Sequence, residues 1–429
     1  MKKNKFIKST IILIIGGFFT KILGMLIKIV ITRIIGTEGI GLYSLIIPTF
    51  MLLNSIAQLG LPTALNVLIA KDKNSKQLVF TSIIISLTID IIIFIFLFIF
   101  GKYIAINLLN EKRCLYGLLA ISFTFPFISI SNMLRSYFFG KQRMLPHVIT
   151  NILEDVVRLI LIILFLPYFL NKGISYAIAF IMITNIFGEL TSIIIFMFLL
   201  PNFKISKKEL KPNKQVFKDL FSICIPTTGS RLIGNIGYFL EPIILTYVLI
   251  KVGYSNKFII NEYGIINGYV MPLILLPSFF TTALSNALIP IVSKNYSKGN
   301  YNYVKKKIKQ AIFYSLIIGI PATIIFLSIP EIPLKYIYNT NLGINYIKFL
   351  APICLLHYIQ SPISSSLQAM GKAKISMKGT LYGILIRTIL LFSLSYLKIG
   401  IWGLILATSS SIIFVTLYDG WRVNKELNK

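Results

Sequence analysis

Eleven charged side chains fall inside the long apolar segments of this 429-residue chain, at least three residues from either end of a segment. Placing a charge in the hydrocarbon interior of a bilayer costs at least about 2.5–3.5 kcal/mol, so each one needs a partner, a water-filled cavity or a functional role. The chemistry open to them is ion pairing, binding of a proton or cation, and recognition of a charged substrate. The basic members are Lys21, Lys28, Arg135, Arg158, Arg231 and Arg387, and the acidic members are Asp90, Glu154, Asp155, Glu189 and Glu241.

Two of the cations share one face of the first apolar segment. At 100° per residue, Gly17, Lys21, Gly24 and Lys28 lie within a stripe of about 60° on a helix. No acidic residue occurs in this segment to pair with the lysines. The stripe therefore predicts either pairing with carboxylates on other helices or, as we expect, a water-filled cavity that receives an anionic substrate.

Two further arginines have the same two interpretations. Arg231 shares a helical stripe with Glu241, but the two are about 15 Å apart along the axis, too far for a direct pair. Arg387 has no acidic neighbour on its own segment. Both arginines either pair with Asp90, Glu189 or Glu241 from other helices or line the cavity. We expect Arg231, Arg387, Glu241 and Asp90 to be cavity residues with Lys21 and Lys28.

Other charged residues have a structural interpretation. Glu154 and Arg158 are four residues apart, the favourable orientation for a pair on one helix, and they predict a self-neutralised structural pair. No HExxH, GxSxG, Walker A or Cys/His cluster occurs, so we expect neither an enzyme nor a metal site. The scattered cysteines are expected to behave as small apolar residues; they are Cys114, Cys224 and Cys354.

The elements that position these residues are apolar helices. Apolar and aromatic residues make up 56% of the chain, charged residues 13%, and the mean hydropathy is +0.80. This excludes a soluble or disordered protein and predicts an all-α polytopic membrane protein with about twelve transmembrane helices. The segments are 9–31, 41–65, 78–100, 115–139, 147–169, 174–200, 219–249, 263–290, 310–329, 346–369, 376–397 and 401–418.

The net charge of +29 is explained by membrane topology and not by nucleic acid. With the N-terminus inside, the inner loops and tails carry 27 Lys and Arg residues and the outer loops carry nine. Such a bias predicts that both termini and the basic segment 201–218 lie in the cytoplasm. The expected location is the bacterial plasma membrane.

Weak internal matches predict a duplication. They occur in order, at equivalent segments, with offsets of 210, 224 and 231 residues. Two six-helix lobes, 1–200 and 219–429, would then be joined by the linker 201–218 and related by a pseudo-two-fold axis along the membrane normal. The matches pair residues 20–24 with 230–234, Glu38 and Pro48 with Glu262 and Pro272, and 140–143 with 371–374.

Several runs resemble the stage V sporulation protein B group, in the polysaccharide branch of the multidrug/oligosaccharidyl-lipid/polysaccharide (MOP) flippase superfamily. They are KILG at 21–24, TRIIGTEGIGLY at 32–43 into Pro48, LRSYFFG at 134–140, Met271-Pro272 with Leu276-Pro277, and TTAL at 281–284 through Pro290. The resemblance implies a MATE-like fold, a flippase for an undecaprenyl-diphosphate-linked saccharide, and a cavity lined by helices 1, 2, 7 and 8. It places Lys21, Lys28 and Arg231 at cavity positions. Many relatives have fourteen helices, so a lipid-tail groove built from two further C-terminal helices is not expected here.

Two other functions stay open. An ion-coupled multidrug antiporter of the same fold would need an unpaired carboxylate, for which Asp90 is the candidate. A membrane glycan polymerase or transferase would need a catalytic constellation and usually a large outer loop, and it ranks last. The expected partners are a lipid-linked anionic saccharide, membrane lipids and cell-wall synthases. No cofactor is expected, and coupling to the membrane potential, Na⁺ or H⁺ is left open.

Overall fold

The computed structural model describes residues 2–70, 75–200 and 214–428, with side chains from residue 15 onward except at positions 226 and 230. Helices dominate these ranges and no strand occurs in them. The helices are α1 (Lys2–Gln58), α2 (Leu61–Ala70), α3 (Ser75–Tyr103), α4 (Leu115–Gly140), α5 (Met144–Lys172), α6 (Ile174–Leu199), α7 (Lys214–Lys251), α8 (Asn256–Gly264), α9 (Met271–Ile274), α10 (Ser278–Tyr296), α11 (Tyr301–Ser328), α12 (Glu331–Tyr338), α13 (Ile344–Ala369), α14 (Ala373–Ser395) and α15 (Trp402–Leu427).

The first two predicted segments share the helix α1. The backbone leaves helical geometry at Gly36, where φ is 66° and ψ is −169°. Glycine adopts a positive φ without a Cβ penalty, so Gly36 is where the chain can turn between the two segments. A second break follows at Leu59 and Gly60, whose φ values are 43° and 64°, and α2 begins immediately after it.

The predicted eighth segment is also interrupted. The chain runs from α8 through a π-helical turn, Ile265–Val270, into the short helix α9. It then bends by 54° into α10. Pro277 lies in the three-residue break between the two helices, where a missing backbone N–H removes a helical hydrogen bond.

The chain divides into two compact units, residues 1–239 and 240–429. In the first unit α6 packs along α4 and α5, and in the second unit α15 packs along α13 and α14. The core of the first unit includes Leu65, Phe138 and Phe196, and that of the second includes Val292 and Leu367. In each unit the last of these helices therefore packs along the two helices that precede it.

The division falls inside α7, later than the predicted lobe boundary at 219. Leu220 and Cys224, early in α7, are fully buried in the core of the first unit, which explains why this half of the helix groups with it. Most of the predicted linker lies outside the described residues, because the description resumes at Lys214, where α7 begins.

Seven of the described helices are long and apolar enough to cross a membrane, and the bent pair would make eight. The helices α5 and α13, which coincide with predicted segments, are not among them. The first contains Glu154, Asp155 and Arg158, and the second contains a serine-rich tract, so both are less apolar than their neighbours. Together with the relatives described below, these helices confirm an all-α, many-pass membrane fold.

Candidate functional site

The lysine stripe on α1 is open. Lys21 is exposed and Lys28 is half-buried. A Cβ placed on Gly17 or Gly24 would meet no atom within 4 Å, so no side chain of the described residues packs against the stripe at these two positions. Within the described part of the chain, neither lysine has an ion-pair partner. The stripe therefore presents two uncompensated positive charges.

Arg231 on α7 is exposed as well and contacts the start of α2. Its Nη2 donates to Oγ1 of Thr63 at 3.2 Å, and no carboxylate among the described residues pairs with it. One turn further along α7, Asn235 donates to the Ser55 hydroxyl and to the backbone oxygen of Met51 at 3.3 Å. Arg231 is thus held by a neutral hydroxyl, which leaves its charge uncompensated within the described structure.

The close approach of α7 to the break between α1 and α2 depends on Gly60. A Cβ on Gly60 would lie 2.3 Å from Oγ1 of Thr227 and 3.0 Å from the backbone oxygen of Cys224. Its φ of 64° is also in the left-handed region. Position 60 therefore requires glycine for two independent reasons. The missing side chain lets α7 approach closely at Thr227, which lies one turn before Arg231.

Arg387 and Glu241 were predicted as cavity residues, and the structure pairs them with each other. Arg387 on α14 forms an ion pair with Glu241 in the second half of α7, and Glu241 is only 4% exposed. Tyr263 on α8 donates to Oε1 of the same carboxylate at 3.1 Å. The expectation of an unpaired Arg387 was wrong. Pairing between helices, the other interpretation of the sequence, is what occurs.

The predicted structural pair of Glu154 with Arg158 is also wrong, although both residues do pair. Glu154 on α5 contacts Arg135 on α4, with 3.1 Å between Oε2 and Nη2. Arg158 instead contacts Asp155 at 3.8 Å. The i,i+4 spacing suggested a partner on the same helix, but α4 presents a guanidinium that fits Glu154 better.

Arg135 extends this pair into a network over three helices. Its Nη2 is 3.8 Å from Oε2 of Glu189 on α6, and Ser192 on α6 donates to Glu154 at 3.1 Å. Gly188 makes the network possible, because a Cβ there would lie 2.8 Å from the Glu154 side chain and 2.9 Å from that of Arg158. We refer to Arg135, Glu154, Asp155, Arg158 and Glu189 as the α4–α6 charge network.

Asp90 on α3 is not at an open surface. It is fully buried, and neither carboxylate oxygen makes a hydrogen bond of ordinary geometry within the described residues, although the Ser129 hydroxyl is close to it. Asp90 is thus a candidate for proton or cation binding inside the first unit. The structure gives it no opening of the kind that Lys21 and Arg231 have.

Asp419 on α15 is a functional candidate that the segment boundaries missed, because it follows the last residue of the twelfth predicted segment. It is fully buried, and the hydroxyls of Ser364 and Ser376 donate to Oδ2 at 2.5 Å and 3.5 Å. Oδ1 has no hydrogen-bond partner in the described structure. The sequence carried one signal, since Asp419 follows Glu189 by 230 residues, within the range of the repeat offsets.

The serine-rich tract of α13 serves helix packing. Ser361 and Ser285 share a hydrogen bond of 2.8 Å between α13 and α10, and Ser364 reaches Asp419. His357 contacts Gln360 on its own helix at 3.2 Å. Over the described ranges, no three His, Cys, Asp or Glu side chains come together as a metal site would require.

Bundles of apolar helices, with cations that have no carboxylate partner in the described part of the chain, are typical of many-pass membrane transporters. Residues 6–296 match the family described as polysaccharide biosynthesis protein, and residues 235–393 match MatE. The chain belongs to this polysaccharide biosynthesis family, in the stage V sporulation protein B group. The resemblance predicted from the sequence is confirmed.

Two curated relatives come from Bacillus subtilis strain 168. The chain is 36% identical to stage V sporulation protein B, over 100% of this chain and 85% of the relative. It is 24% identical to lipid II flippase MurJ, over 97% of this chain and 82% of the relative. Among solved structures, the inward-facing conformation of a multidrug resistance MATE family transporter matches with a TM-score of 0.78 and 15% identity, over 96% of both chains. This last likeness concerns the fold alone.

Proposed function

We propose that this protein is a flippase that moves an undecaprenyl-diphosphate-linked saccharide, such as a peptidoglycan precursor, across the bacterial cytoplasmic membrane by alternating access. The family description and the name of the lipid II flippase relative support this substrate class. The 27-to-nine distribution of basic residues supports cytoplasmic termini. Cell-wall synthases that use the flipped product are the expected partners.

The observation that carries the proposal is the contrast between paired and unpaired charges. Arg135, Arg158 and Arg387 each contact a carboxylate. Lys21, Lys28 and Arg231 contact none in the described structure. A diphosphate is the natural counterion for such a set, because its oxygens accept charge-assisted hydrogen bonds from ammonium and guanidinium groups.

The exposure of Lys21 supports a water-filled cavity over contact with lipid. Lys21 lies at the middle of the predicted segment 9–31 and is exposed there. A lysine facing hydrocarbon at that depth is costly, whereas one facing water is not. The adjacent Gly17 and Gly24 leave open space for a bulky ligand on the same face.

The membrane potential supplies a driving force for this substrate. The cytoplasm is electrically negative, so outward movement of an anionic head group is favoured by about 2.3 kcal/mol per charge per 100 mV. A cationic substrate leaving the cell moves against the same field. Liposomes with imposed potential, Na⁺ or H⁺ gradients distinguish the three modes of coupling.

The test is translocation of a fluorescent lipid-diphosphate saccharide by the purified protein in liposomes. Lys21→Ala and Arg231→Ala should abolish translocation and weaken substrate binding while protein level and membrane insertion stay normal, because removing an unpaired charge from a span eases insertion. Lys172→Ala, at the outer end of α5, is the matched control and should behave as wild type. Translocation that is unchanged in both cavity variants would exclude the proposal.

The runner-up function is an ion-coupled cation antiporter, for which Asp90 is the supporting observation. A buried carboxylate without a hydrogen-bond partner in the described residues suits binding of a proton or a cation. The solved multidrug transporter shares the fold. We rank this function second because the exposed charges on α1 and the first half of α7 are cationic and repel a cationic drug.

A further inference from the structure

A basic cavity lies at the start of α11, in the second unit, and none of the cations described above lines it. Its volume is about 560 Å³. Lys305, Lys306 and Lys309 line it together with Gln310, Phe313 and Tyr314, and none of the described residues that line it is acidic. One face of α11 carries the lining positions 305, 306, 309, 310 and 313, which follow helical spacing. The helix therefore directs its three lysines to a common opening.

A narrow apolar crevice adjoins this cavity. Its volume is about 130 Å³, and it shares Lys305 and Lys309 with the basic cavity. The other side chains that line it include Ile308, Ile312 and Ile363. The two lysines therefore stand between a polar opening and an apolar cleft, an arrangement that fits a molecule with an anionic head and a hydrocarbon tail.

The position along the chain places the cavity at the inner surface of the membrane. Segment 294–309 contributes six lysines to the predicted cytoplasmic side. The helix α11 then continues as one of the candidate spans. Phe313 and Tyr314, 60% and 50% exposed, follow the lysines toward the membrane interior. Lysines near the end of a span extend their ammonium groups to the lipid head-group layer, and clusters of them attract anionic lipids.

We propose that this cavity binds the head group of an anionic phospholipid of the inner leaflet, with one acyl chain in the adjoining crevice. The phosphate oxygens accept hydrogen bonds from the three lysine ammonium groups. Gln310 offers an amide to head-group hydroxyls, although its Oε1 already accepts from Lys307 at 3.0 Å. Lys305 also donates to Oδ1 of Asn428 at 2.9 Å, so bound lipid would lie where α11 meets the end of α15.

The test is lipid binding to the purified full-length protein, measured by native mass spectrometry with phosphatidylglycerol and phosphatidylcholine as probes. We expect phosphatidylglycerol to bind wild type at least about tenfold more tightly than phosphatidylcholine. The triple variant Lys305→Gln, Lys306→Gln, Lys309→Gln should lose this preference. The control variant Lys374→Gln, Lys378→Gln, Lys425→Gln has the same net charge change at exposed positions outside the cavity and should keep it.

Three results would overturn the proposal. The first is an unchanged preference in the triple variant, with melting temperatures equal to wild type. The second is an equal loss in the control variant, which would mean that net charge alone attracts the lipid. The third is displacement by inorganic phosphate, glycerol 3-phosphate or undecaprenyl diphosphate at lower concentration than phosphatidylglycerol, which would assign the cavity to a free anion or the transported lipid. The readout is binding without translocation, so it is independent of the proposed flippase activity.

Discussion

Arg387 on α14 and Glu241 on α7 form an ion pair within the second unit, and the Tyr263 hydroxyl donates a hydrogen bond to the same carboxylate. Because they pair with each other, neither charge is available to pair with a ligand. The positive charges left without carboxylates near the predicted cavity are Lys21 and Lys28 on α1 and Arg231 on the first half of α7, within the described residues. The anionic substrate is thus expected to engage the first unit.

Removing one partner of the Glu241–Arg387 pair should destabilise the protein. Glu241→Gln and Arg387→Met each strand a charge in a span, at a cost of about 3–5 kcal/mol, and should lower the melting temperature and the amount in the membrane. The double variant should recover most of that loss. Tyr263→Phe removes a hydrogen bond to the carboxylate and keeps both charges, so it should cost less, about 1.5–3 kcal/mol. Single variants as stable as wild type would mean that the pair is not structural.

Glu154→Ala should lower the protein level because it leaves Arg135 with the more distant Glu189 as its carboxylate neighbour. Membrane abundance by immunoblot and the melting temperature in detergent measure the effect. Ser192→Ala removes a hydrogen bond of 3.1 Å to the same carboxylate and keeps every charge, so it is the matched control. If both substitutions cost the same, charge pairing contributes nothing beyond hydrogen bonding at this position.

Gly60→Ala should destabilise the protein, whereas Gly234→Ala should stabilise it. A Cβ at Gly60 meets Thr227 and requires a left-handed backbone, so alanine should lower the melting temperature. A Cβ at Gly234 meets nothing within 4 Å on α7, so alanine should stabilise by up to about 1 kcal/mol. Loss of translocation in a stable Gly234→Ala protein would show that the ligand needs the space at this face. Equal melting temperatures for the two variants would contradict the account of Gly60.

Topology can be tested by cysteine labelling in intact cells. The three native cysteines are buried, so the background reactivity should be low. An impermeant maleimide should label Lys257→Cys, exposed between α7 and α10 on the predicted outer side, and should spare Lys208→Cys in the predicted cytoplasmic linker. Labelling of position 208 from outside would invalidate the orientation derived from the basic loops.

Lipophilic cations should be neither exported nor competitors of the substrate. Cells that express the protein should show no gain in ethidium efflux, and ethidium should not displace a lipid-diphosphate saccharide, because Lys21 and Arg231 repel it. Asp90→Asn provides the decisive comparison. Efflux that depends on Asp90 and is indifferent to Lys21→Ala would move the antiporter function to first place.

Much of the fold could be predicted from the sequence because its signals are local. Apolar segments require about 20 residues to span a bilayer, and loop lysines report their own side of the membrane. Gly36, inside the family-like run at 32–43, is where α1 leaves helical geometry. Such features depend on neighbours within one or two helical turns, so they can be read without knowing how the helices pack.

The partners of the charges could not be predicted because they are set by packing between helices. Glu241 and Arg387 are far apart in sequence, and only the packing of α14 against α7 brings them into contact. Glu154 had a plausible partner on its own helix, yet Arg135 on α4 pairs with it. Asp419 was missed because the twelfth predicted segment ends at residue 418, one residue earlier. The prediction therefore assigned this buried carboxylate to the C-terminal tail.

The α4–α6 charge network also has a practical consequence for measuring motion. Each of its two guanidinium groups contacts at least one of its three carboxylates, the contacts of Arg135 join three helices, and Gly188 keeps those helices in close contact. Separating the helices would expose unpaired charges to hydrocarbon, so α4, α5 and α6 should move together during a transport cycle. Spin labels on α4 and α6 should report a single, unchanging distance. These three helices can therefore serve as a fixed reference, against which the displacement of any other labelled helix is measured.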